Sequence, residues 1–170
     1  MQSALLDGSA VLGLRPRIPQ VPLMLHPRRG FNQVRVGDRF ESAMTMTETH
    51  IVMGAGLFGD FNRLHVDEPF AKASRHVGRI AHGYLTISLS VTRTSCSVFH
   101  GTAIAYLDHA CRFLKPVRAG DTLTTVWEIT GLTPKPKHDG GIVAMKATCS
   151  NQDGEAVAEA TGTMLVKNAE

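Results

Sequence analysis

The stretch at residues 81–92 constrains the fold more than any other part of this sequence. It runs Ala-His-Gly-Tyr-Leu-Thr-Ile-Ser-Leu-Ser-Val-Thr, so small or apolar side chains would cover nearly every face of a helix. A helix of this kind is normally enclosed by other structure. The rest of the chain therefore has to provide a surface that wraps around one central helix.

The residues after this helix predict such a surface. Four segments of strand-like composition follow, at residues 102–114, 122–132, 142–150 and 157–166. Stretches rich in turn residues separate them, at residues 116–121, 134–141 and 151–154. Because short turn-rich connections join neighbouring antiparallel strands, we expect three successive hairpins and an antiparallel sheet.

The residues before the central helix predict one further strand and two helices. The strand covers residues 40–46, and Thr47 is placed to cap a helix that runs to about Phe58 and ends at Gly59-Asp60. After a loop, Asp67 or its neighbour caps a short helix with Pro69 in its first turn. This order of elements predicts an α+β fold with helices on one face of the sheet.

The beginning of the chain differs in composition from the rest. Residues 1–30 contain four of the eight prolines and show no helical or alternating pattern. They predict an extended arm packed over a single domain of residues 31–170. The alternative is a transit peptide, because residues 1–37 contain five arginines and one acidic residue. The whole chain has a net charge of +3 and 6% aromatic residues, which argues against a nucleic-acid-binding protein.

Cysteine usage and hydropathy indicate where the protein works. The three cysteines, Cys96, Cys111 and Cys149, are odd in number and lack metal-ligand spacing, so we expect reduced thiols. The sequence has no apolar run long enough to span a bilayer and no secretory signal pattern at its start. These features predict a cytoplasmic protein that does not interact with membranes.

The densest group of chemically capable side chains lies at residues 58–67. Asp60, Asn62 and His65 occur within six positions, in a predicted loop where side chains can converge. An aspartate and a histidine that share one water can divide the proton transfers of an addition or elimination. The alternative is structural, with Asp60 and Asn62 bonded to the backbone at a helix end and His65 packed or capping.

A second group, His82-Gly83, stands at the start of the central helix. The first N–H groups of a helix have no partner within it and lie at the positive end of its dipole. Because Gly83 has no Cβ, a carbonyl oxygen can approach this backbone closely, as in an oxyanion hole. The alternative is that Gly83 serves only packing or the entry of the chain into the helix.

Together these residues resemble the family of MaoC-like dehydratases and (R)-specific enoyl-CoA hydratases. The matching motifs occur in the family's order over about residues 34–168, at Gly59-Asp60-Phe61-Asn62, Leu64-His65-Val66-Asp67, Ala71-Lys72-Ala73-Ser74, Ile80-Ala81-His82-Gly83-Tyr84 and Arg112-Phe113-Leu114-Lys115-Pro116. The resemblance implies a hotdog fold, a sheet wrapped around a long helix. It also implies reversible hydration of a trans-2-enoyl-CoA to an (R)-3-hydroxyacyl-CoA.

The resemblance implies a role for each residue at a matching position. Asp60 and His65 become the catalytic pair that holds the water, and the Gly83 N–H becomes a donor to the thioester oxygen. Asn62 supports the loop, and His82 belongs to the substrate-binding group. Coenzyme A would enter only as part of the substrate, and the reaction needs no metal or other cofactor. A homodimer or larger homo-oligomer is expected.

Two positions depart from the family pattern, and others bear on the substrate. Arg63 replaces a usual proline, and Val91 stands where some relatives have serine. The bulky side chains of Tyr84 and Phe99 could shorten the acyl slot. The remaining sets are the basic residues that could meet the phosphates of coenzyme A, Lys115, Arg118, Lys135 and Lys137, and the histidines for which we expect surface or core roles, His50, His76, His100, His109 and His138.

Two other function classes remain open from the sequence. A hotdog acyl-CoA thioesterase would also polarise a thioester carbonyl at a helix N-terminus, but the spacing of Asp60, Asn62 and His65 belongs to the hydratase pattern. A non-catalytic subunit that binds acyl thioesters is the third class. The presence of Asp60, His65 and Gly83 together argues against it.

Overall fold

The computed structural model describes residues 28–170, with Ser90 described only for its backbone. The predicted arm of residues 1–30 therefore lies almost entirely outside the described residues. At the start of the described part, the Arg29 N–H donates to the carbonyl of Val98 at 2.9 Å. The Thr102 hydroxyl donates to the carbonyl of Arg29 at 2.6 Å. These bonds fasten residue 29 beside the end of the central helix.

The described residues form one antiparallel sheet. Its strands are β1 (Arg39–Thr45), β2 (Ala103–Phe113), β3 (Thr122–Lys135), β4 (Gly140–Ser150) and β5 (Ala156–Lys167). They lie in the order β1-β3-β4-β5-β2, and every neighbouring pair is antiparallel. The strand predictions are confirmed to within about three residues at each end.

One of the three predicted hairpins is wrong. β2 pairs with β5 instead of β3, so β2 is an edge strand and residues 114–121 cross to the other side of the sheet. This connection bonds to other elements along the way: the Ala81 N–H donates to the carbonyl of Val117 at 2.7 Å, and the Gly120 N–H donates to the carbonyl of Met46 at 2.8 Å. Its turn residues therefore belong to a crossover connection from β2 to β3 that passes the start of the central helix.

β3 continues beyond its predicted end. It runs through Pro134, which pairs with Gly141 of β4. The pairing of β1 with β3 ends at Arg39 and Glu128, so the later residues of β3 have a ladder on one side only. A proline without a backbone donor is tolerated at such an edge.

The central helix begins at Gly83 and is continuous through Val98. It consists of α4 (Gly83–Thr86), a π-helical segment (Ile87–Thr92) and α5 (Arg93–Val98). A π-helical segment shifts the hydrogen-bond partners of its carbonyl groups relative to an α-helix. Here the carbonyl of Val91 accepts a hydrogen bond from the buried indole of Trp127 at 2.6 Å. The predicted span of residues 81–92 is thus displaced, because His82 lies outside the helix as its N-cap and the polar residues after Thr92 continue it.

The hydrophobic core fills the space between the sheet and the central helix. The helix contributes Leu85, Val91 and Val98, and the sheet contributes alternate residues of each strand. The largest fully buried side chains from the sheet are Trp127, Leu123, Ile129, Met145, Met164 and Val143. This enclosure confirms the prediction made from the apolar helix, and with the sheet order it gives an α+β hotdog fold.

Three short helices lie between β1 and the central helix and carry the candidate site. They are α1 (Glu48–Phe58), α2 (Arg63–Val66) and α3 (Glu68–Ala73). Both predicted caps are confirmed: Thr47 Oγ1 accepts from the His50 N–H at 3.3 Å, and an Asp67 carboxylate oxygen accepts from the Phe70 N–H at 3.0 Å. The turn α2 replaces part of the predicted loop. Within residues 28–170, no helix combines the length and apolar character that a membrane span requires.

Candidate active site

Asp60 lies in the short segment that joins α1 to α2, and its carboxylate faces the imidazole of His65 in α2. Asp60 Oδ2 lies 3.7 Å from His65 Nε2. Gly59 ends α1 in the left-handed conformation, with φ of 67°, which turns the chain toward this position. The Asn62 N–H donates to Asp60 Oδ1 at 3.1 Å. One carboxylate oxygen is therefore held by the backbone, and the other remains beside the imidazole.

The protonation pattern of His65 follows from its second ring nitrogen. His65 Nδ1 lies 2.8 Å from the carbonyl oxygen of Ile80. Because a carbonyl oxygen can only accept, Nδ1 carries the hydrogen, and in the neutral ring Nε2 has a free lone pair. The side chain is 11% exposed while that of Asp60 is 46% exposed. The pair thus offers two acceptor atoms facing one partly open position.

Asn62 shapes the loop. Its side-chain oxygen accepts from the Leu64 N–H at 3.1 Å and so caps α2. The same residue's N–H holds Asp60 Oδ1. These two bonds fix the backbone around Asn62, and its supporting role in the reaction stays a prediction.

His82 lies beneath the pair and is only 1% exposed. Its Nε2 donates to the carbonyl oxygen of Asp60 at 2.9 Å, and its ring stacks on that of His65 with centroids 3.9 Å apart. Phe58 packs edge-on against it at 5.8 Å. A Cβ at Gly54 would come within 3.1 Å of His82 Nδ1, so α1 approaches the ring closely. His82, which was expected in the substrate-binding group, thus contacts Asp60 and His65 from the buried side.

Gly83 joins two cavities at the start of the central helix. The larger, of about 710 Å³, contains Asp60 in its wall, and the smaller, of about 320 Å³, contains His65. Gly83 and Phe113 line both. A Cβ at Gly83 would lie 2.7 Å from the ring of Phe113, so only glycine fits there without displacement. The N–H of Gly83 belongs to the first helical turn, where the helix provides no acceptor for it.

The two departures from the family pattern leave this geometry intact. Arg63 begins α2 and forms an ion pair with Asp67 at 2.8 Å while its guanidinium lies over the ring of Phe70 at 4.2 Å. The Phe70 N–H and then Arg63 hold the pKa of Asp67 below its usual value. The positive charge of Arg63 is thereby paired with Asp67 and directed toward α3. Val91 is 1% exposed and packs in the core.

An ion-pair group joins α1 to α3 near the site. Arg79 lies 2.6 Å from a carboxylate oxygen of Glu48 and 2.9 Å from one of Glu68. The hydrogen bond from Arg79 is the main cause that lowers the pKa of Glu68. The arginine therefore bridges the two helices on either side of the segment that contains Asp60 and His65.

Basic side chains surround the smaller cavity. Arg75, His76 and Lys115 line it, and the Arg118 guanidinium donates to the carbonyl of His76. Two of the four basic residues named from the sequence are therefore beside the site. Lys135 and Lys137 instead lie at the turn between β3 and β4.

Only one of the two bulky residues predicted to limit the slot lies in the larger cavity. Tyr84 lines it, next to Phe58. Phe99 is fully buried and packs edge-on against Phe40, with ring centroids 6.4 Å apart. Phe99 is therefore a core residue.

The site residues include a group that could approach a metal ion. Ligand atoms of Asp60, His65 and His82 lie within 4.8 Å of one another. However, Nε2 of His82 is bonded to the Asp60 carbonyl, and Nδ1 faces Gly54 at close range. The group therefore fits poorly as a three-ligand site, and the prediction of a metal-free reaction stays a prediction.

The structure adds two residues that the sequence did not single out as site residues. Tyr106 and His109 of β2 line the larger cavity, and the Tyr106 hydroxyl lies 2.9 Å from His109 Nδ1. They are three positions apart, so strict strand alternation would place them on opposite faces. A bulge between Tyr106 and Asp108 shifts the alternation, and no sequence signal marks it.

Comparisons with known proteins show which family and which structures this chain is similar to. The model of the MaoC-like domain family matches residues 32–151. The chain is 32% identical to a Rhodospirillum rubrum protein named (R)-specific enoyl-CoA hydratase, over 80% of this chain and 90% of that protein. It is 29% identical to a 3-hydroxybutyryl-CoA dehydratase of Methylorubrum extorquens, over 81% and 82%. The structure of an unliganded R-hydratase from Pseudomonas aeruginosa superposes with a TM-score of 0.73 at 26% identity, covering 84% of this chain and 88% of that one.

Proposed function

This chain belongs to the MaoC-like domain family, and we propose that it reversibly hydrates trans-2-enoyl thioesters of coenzyme A to (R)-3-hydroxyacyl thioesters. The observation that carries the proposal is the 3.7 Å approach of Asp60 Oδ2 to His65 Nε2, beside a cavity that Asp60 and Gly83 line. The relatives named hydratase and dehydratase support the same reaction in its two directions.

The pair is suited to hold and deprotonate one water. A water between Asp60 Oδ2 and His65 Nε2 donates one hydrogen to each, which aims an oxygen lone pair at C3 of the enoyl group. As the C3–O bond forms, the pair accepts one proton and the C2=C3 electrons move toward the thioester oxygen. The proton then passes from the pair to C2. In this scheme both added groups come from the same water.

The start of the central helix is suited to the charge that develops on the substrate. Addition at C3 gives an enolate whose negative oxygen needs a preorganised donor. The Gly83 N–H, at the positive end of the helix, supplies one, and removal of such a donor typically costs about 2.7–4 kcal/mol of transition-state stabilisation. The Phe113 ring packs closely against Gly83 at this position.

The smaller cavity is suited to the carrier. Arg75, His76 and Lys115 in its wall can meet the phosphate groups of coenzyme A, while His65 lies in the same wall. We therefore propose that the carrier approaches through this side and that the acyl chain occupies the larger cavity. Lys115 also forms an ion pair with Glu155 at 2.6 Å, which would have to exchange when phosphate binds.

We further propose that two copies form a dimer through β2. This strand is an edge of the sheet, with Ile104 and Leu107 48% and 50% exposed. An unpaired apolar edge normally acquires a partner. Sedimentation analysis of the purified chain would show a dimer, and a monomer at micromolar concentration would contradict this assignment.

The test of the reaction is the loss of the ultraviolet absorbance of a conjugated enoyl-CoA, with a thiol reagent present in a parallel assay. Wild type should remove the conjugation without releasing thiol, and Asp60→Asn should lower kcat by about 10²- to 10⁴-fold. Asp153→Asn, in the exposed turn between β4 and β5, is the matched control and should retain full activity. Thiol release would instead assign a thioesterase, and binding without turnover would assign a non-catalytic subunit.

A further inference from the structure

The far end of the larger cavity is polar. Its sheet wall consists of side chains from β2, with Phe113 beside Gly83 at one end and Tyr106 and His109 toward the other. Phe113 and His109 are four positions apart, which corresponds to about 13 Å along a strand. On the helix side the wall extends from Gly83 to Thr92. An acyl chain that starts at the reacting end would therefore have its distal part near His109.

Two backbone features bring this polar pair to the cavity. The bulge between Tyr106 and Asp108 places both Tyr106 and His109 on the face toward the helix. Opposite them, Gly162 of β5 leaves space for the tyrosine, because a Cβ there would lie 2.7 Å from its hydroxyl. The position of the pair is thus determined by the local shape of two strands.

The pair has one unused hydrogen-bonding atom. His109 Nδ1 is bonded to the Tyr106 hydroxyl at 2.9 Å. His109 Nε2 is buried and has no hydrogen-bond partner in the described part of the chain. Buried polar atoms of side chains are nearly always paired, so this nitrogen lacks the partner that such an atom normally has.

The charge state of the pair selects among possible ligands. Burial lowers the pKa of His109 below 6.5, and burial raises the pKa of Tyr106 above 10.0. Both groups are therefore uncharged near neutral pH. A neutral imidazole and a phenol bind a neutral hydroxyl or carbonyl group better than a carboxylate, which would lose its hydration without gaining a cation.

We propose that His109, together with Tyr106, binds a neutral hydrogen-bonding group on the distal part of the acyl chain. The preferred substrates are then enoyl thioesters whose chain carries a hydroxyl or carbonyl group away from the reacting double bond. This inference rests on the proposed function, because it takes the larger cavity as the acyl slot.

The test compares trans-2-octenoyl-CoA with its 8-hydroxy and 8-carboxy analogues. Wild type should favour the 8-hydroxy substrate in kcat/KM by about tenfold over the unsubstituted chain, the effect of one buried hydrogen bond. His109→Leu should abolish or reverse that preference, because an apolar side chain suits an apolar tail. Tyr106→Phe preserves the volume of the pair and should reduce, without abolishing, the preference for the 8-hydroxy substrate. This variant provides the test if His109→Leu does not fold.

Controls separate this inference from the proposed function. Cys111→Ala changes the same cavity wall without touching the pair and should leave the ratio between substrates unchanged. Equal kcat/KM for the 8-hydroxy and unsubstituted chains in wild type, or a preference for the 8-carboxy chain, would overturn the inference while leaving hydration in place. If no substrate turns over, calorimetric binding of octanoyl-CoA and 8-hydroxyoctanoyl-CoA decides: a tighter 8-hydroxy complex that His109→Leu loses supports the inference, and equal affinities overturn it.

Discussion

The two ends of the larger cavity are built in different ways. At the reacting end, Asp60, His65 and Gly83 come from segments that are close in the sequence and are held by backbone hydrogen bonds and helix termini. At the distal end, Tyr106 and His109 come from one strand and converge only because that strand is irregular. Local motifs therefore build the proposed reacting end, whereas an irregular strand shapes the proposed acyl slot.

Substitution at Gly83 should slow the reaction more than any other change that leaves Asp60 and His65 in place. Gly83→Ala keeps the N–H but brings a Cβ to 2.7 Å from the Phe113 ring. A displacement of about 1 Å at the reacting end costs on the order of 100-fold in rate, so kcat for an enoyl-CoA should fall by about that factor. The double variant Gly83→Ala/Phe113→Leu should recover part of the activity. No recovery with intact folding would mean that the contact with Phe113 is not the cause.

Loss of the His82 hydrogen bond should have a smaller effect at the same end. His82→Phe keeps an aromatic ring against His65 but removes the bond to the Asp60 carbonyl, so we expect kcat to fall about tenfold with KM unchanged. His82→Gln, which can donate from its amide, should restore part of kcat. An equal loss in both variants, or a change in KM alone, would contradict the positioning role.

Behind the distal end, where the ring of Trp127 lies 6.4 Å from that of His109, loss of the Trp127 indole should affect stability more than chemistry. Trp127→Phe leaves the buried carbonyl of Val91 without its donor and should reduce the free energy of unfolding by about 1–3 kcal/mol. Denaturant unfolding measures this change. The rate with a short enoyl-CoA should stay within a few-fold of wild type, and a collapse of that rate would show that the two ends are coupled.

The smallest expected effect is a dependence of stability on pH. Because burial holds the pKa of His109 below its unfolded value of 6.5, the unfolded chain binds the proton more readily. Stability should therefore be fully present above pH 6.5 and fall as the pH decreases toward the folded pKa. His109→Leu should reduce the dependence of the free energy of unfolding on pH in that window. An unchanged slope of this free energy against pH would show that His109 is not responsible.

Much of the reacting end can be predicted from the sequence. Caps act over three or four residues, so the roles of Thr47, Gly59 and Asp67 are evident from their neighbours. The enclosed helix is evident from its apolar faces, although its π-helical segment and its extension to Val98 depend on contacts such as the Trp127 hydrogen bond.

The distal end cannot be predicted in this way. A bulge is determined by how two strands fit together, and the residues between Tyr106 and His109 contain no glycine or proline to mark it. The pairing of β2 with β5 likewise depends on the crossover at residues 114–121, whose proline and glycine resemble those of a hairpin turn. Sequence position predicts structure only where the contacts that determine it join residues close together in the chain.

The central claim is that Asp60 and His65 perform the hydration whereas His109 selects the acyl chain. The most direct test measures the hydration rates of trans-2-octenoyl-CoA and its 8-hydroxy analogue with wild type, Asp60→Asn and His109→Leu in one assay. We predict that Asp60→Asn loses turnover of both substrates and that His109→Leu changes only their ratio. Full activity of Asp60→Asn, or an equal loss for both substrates in a folded His109→Leu variant, would contradict the claim.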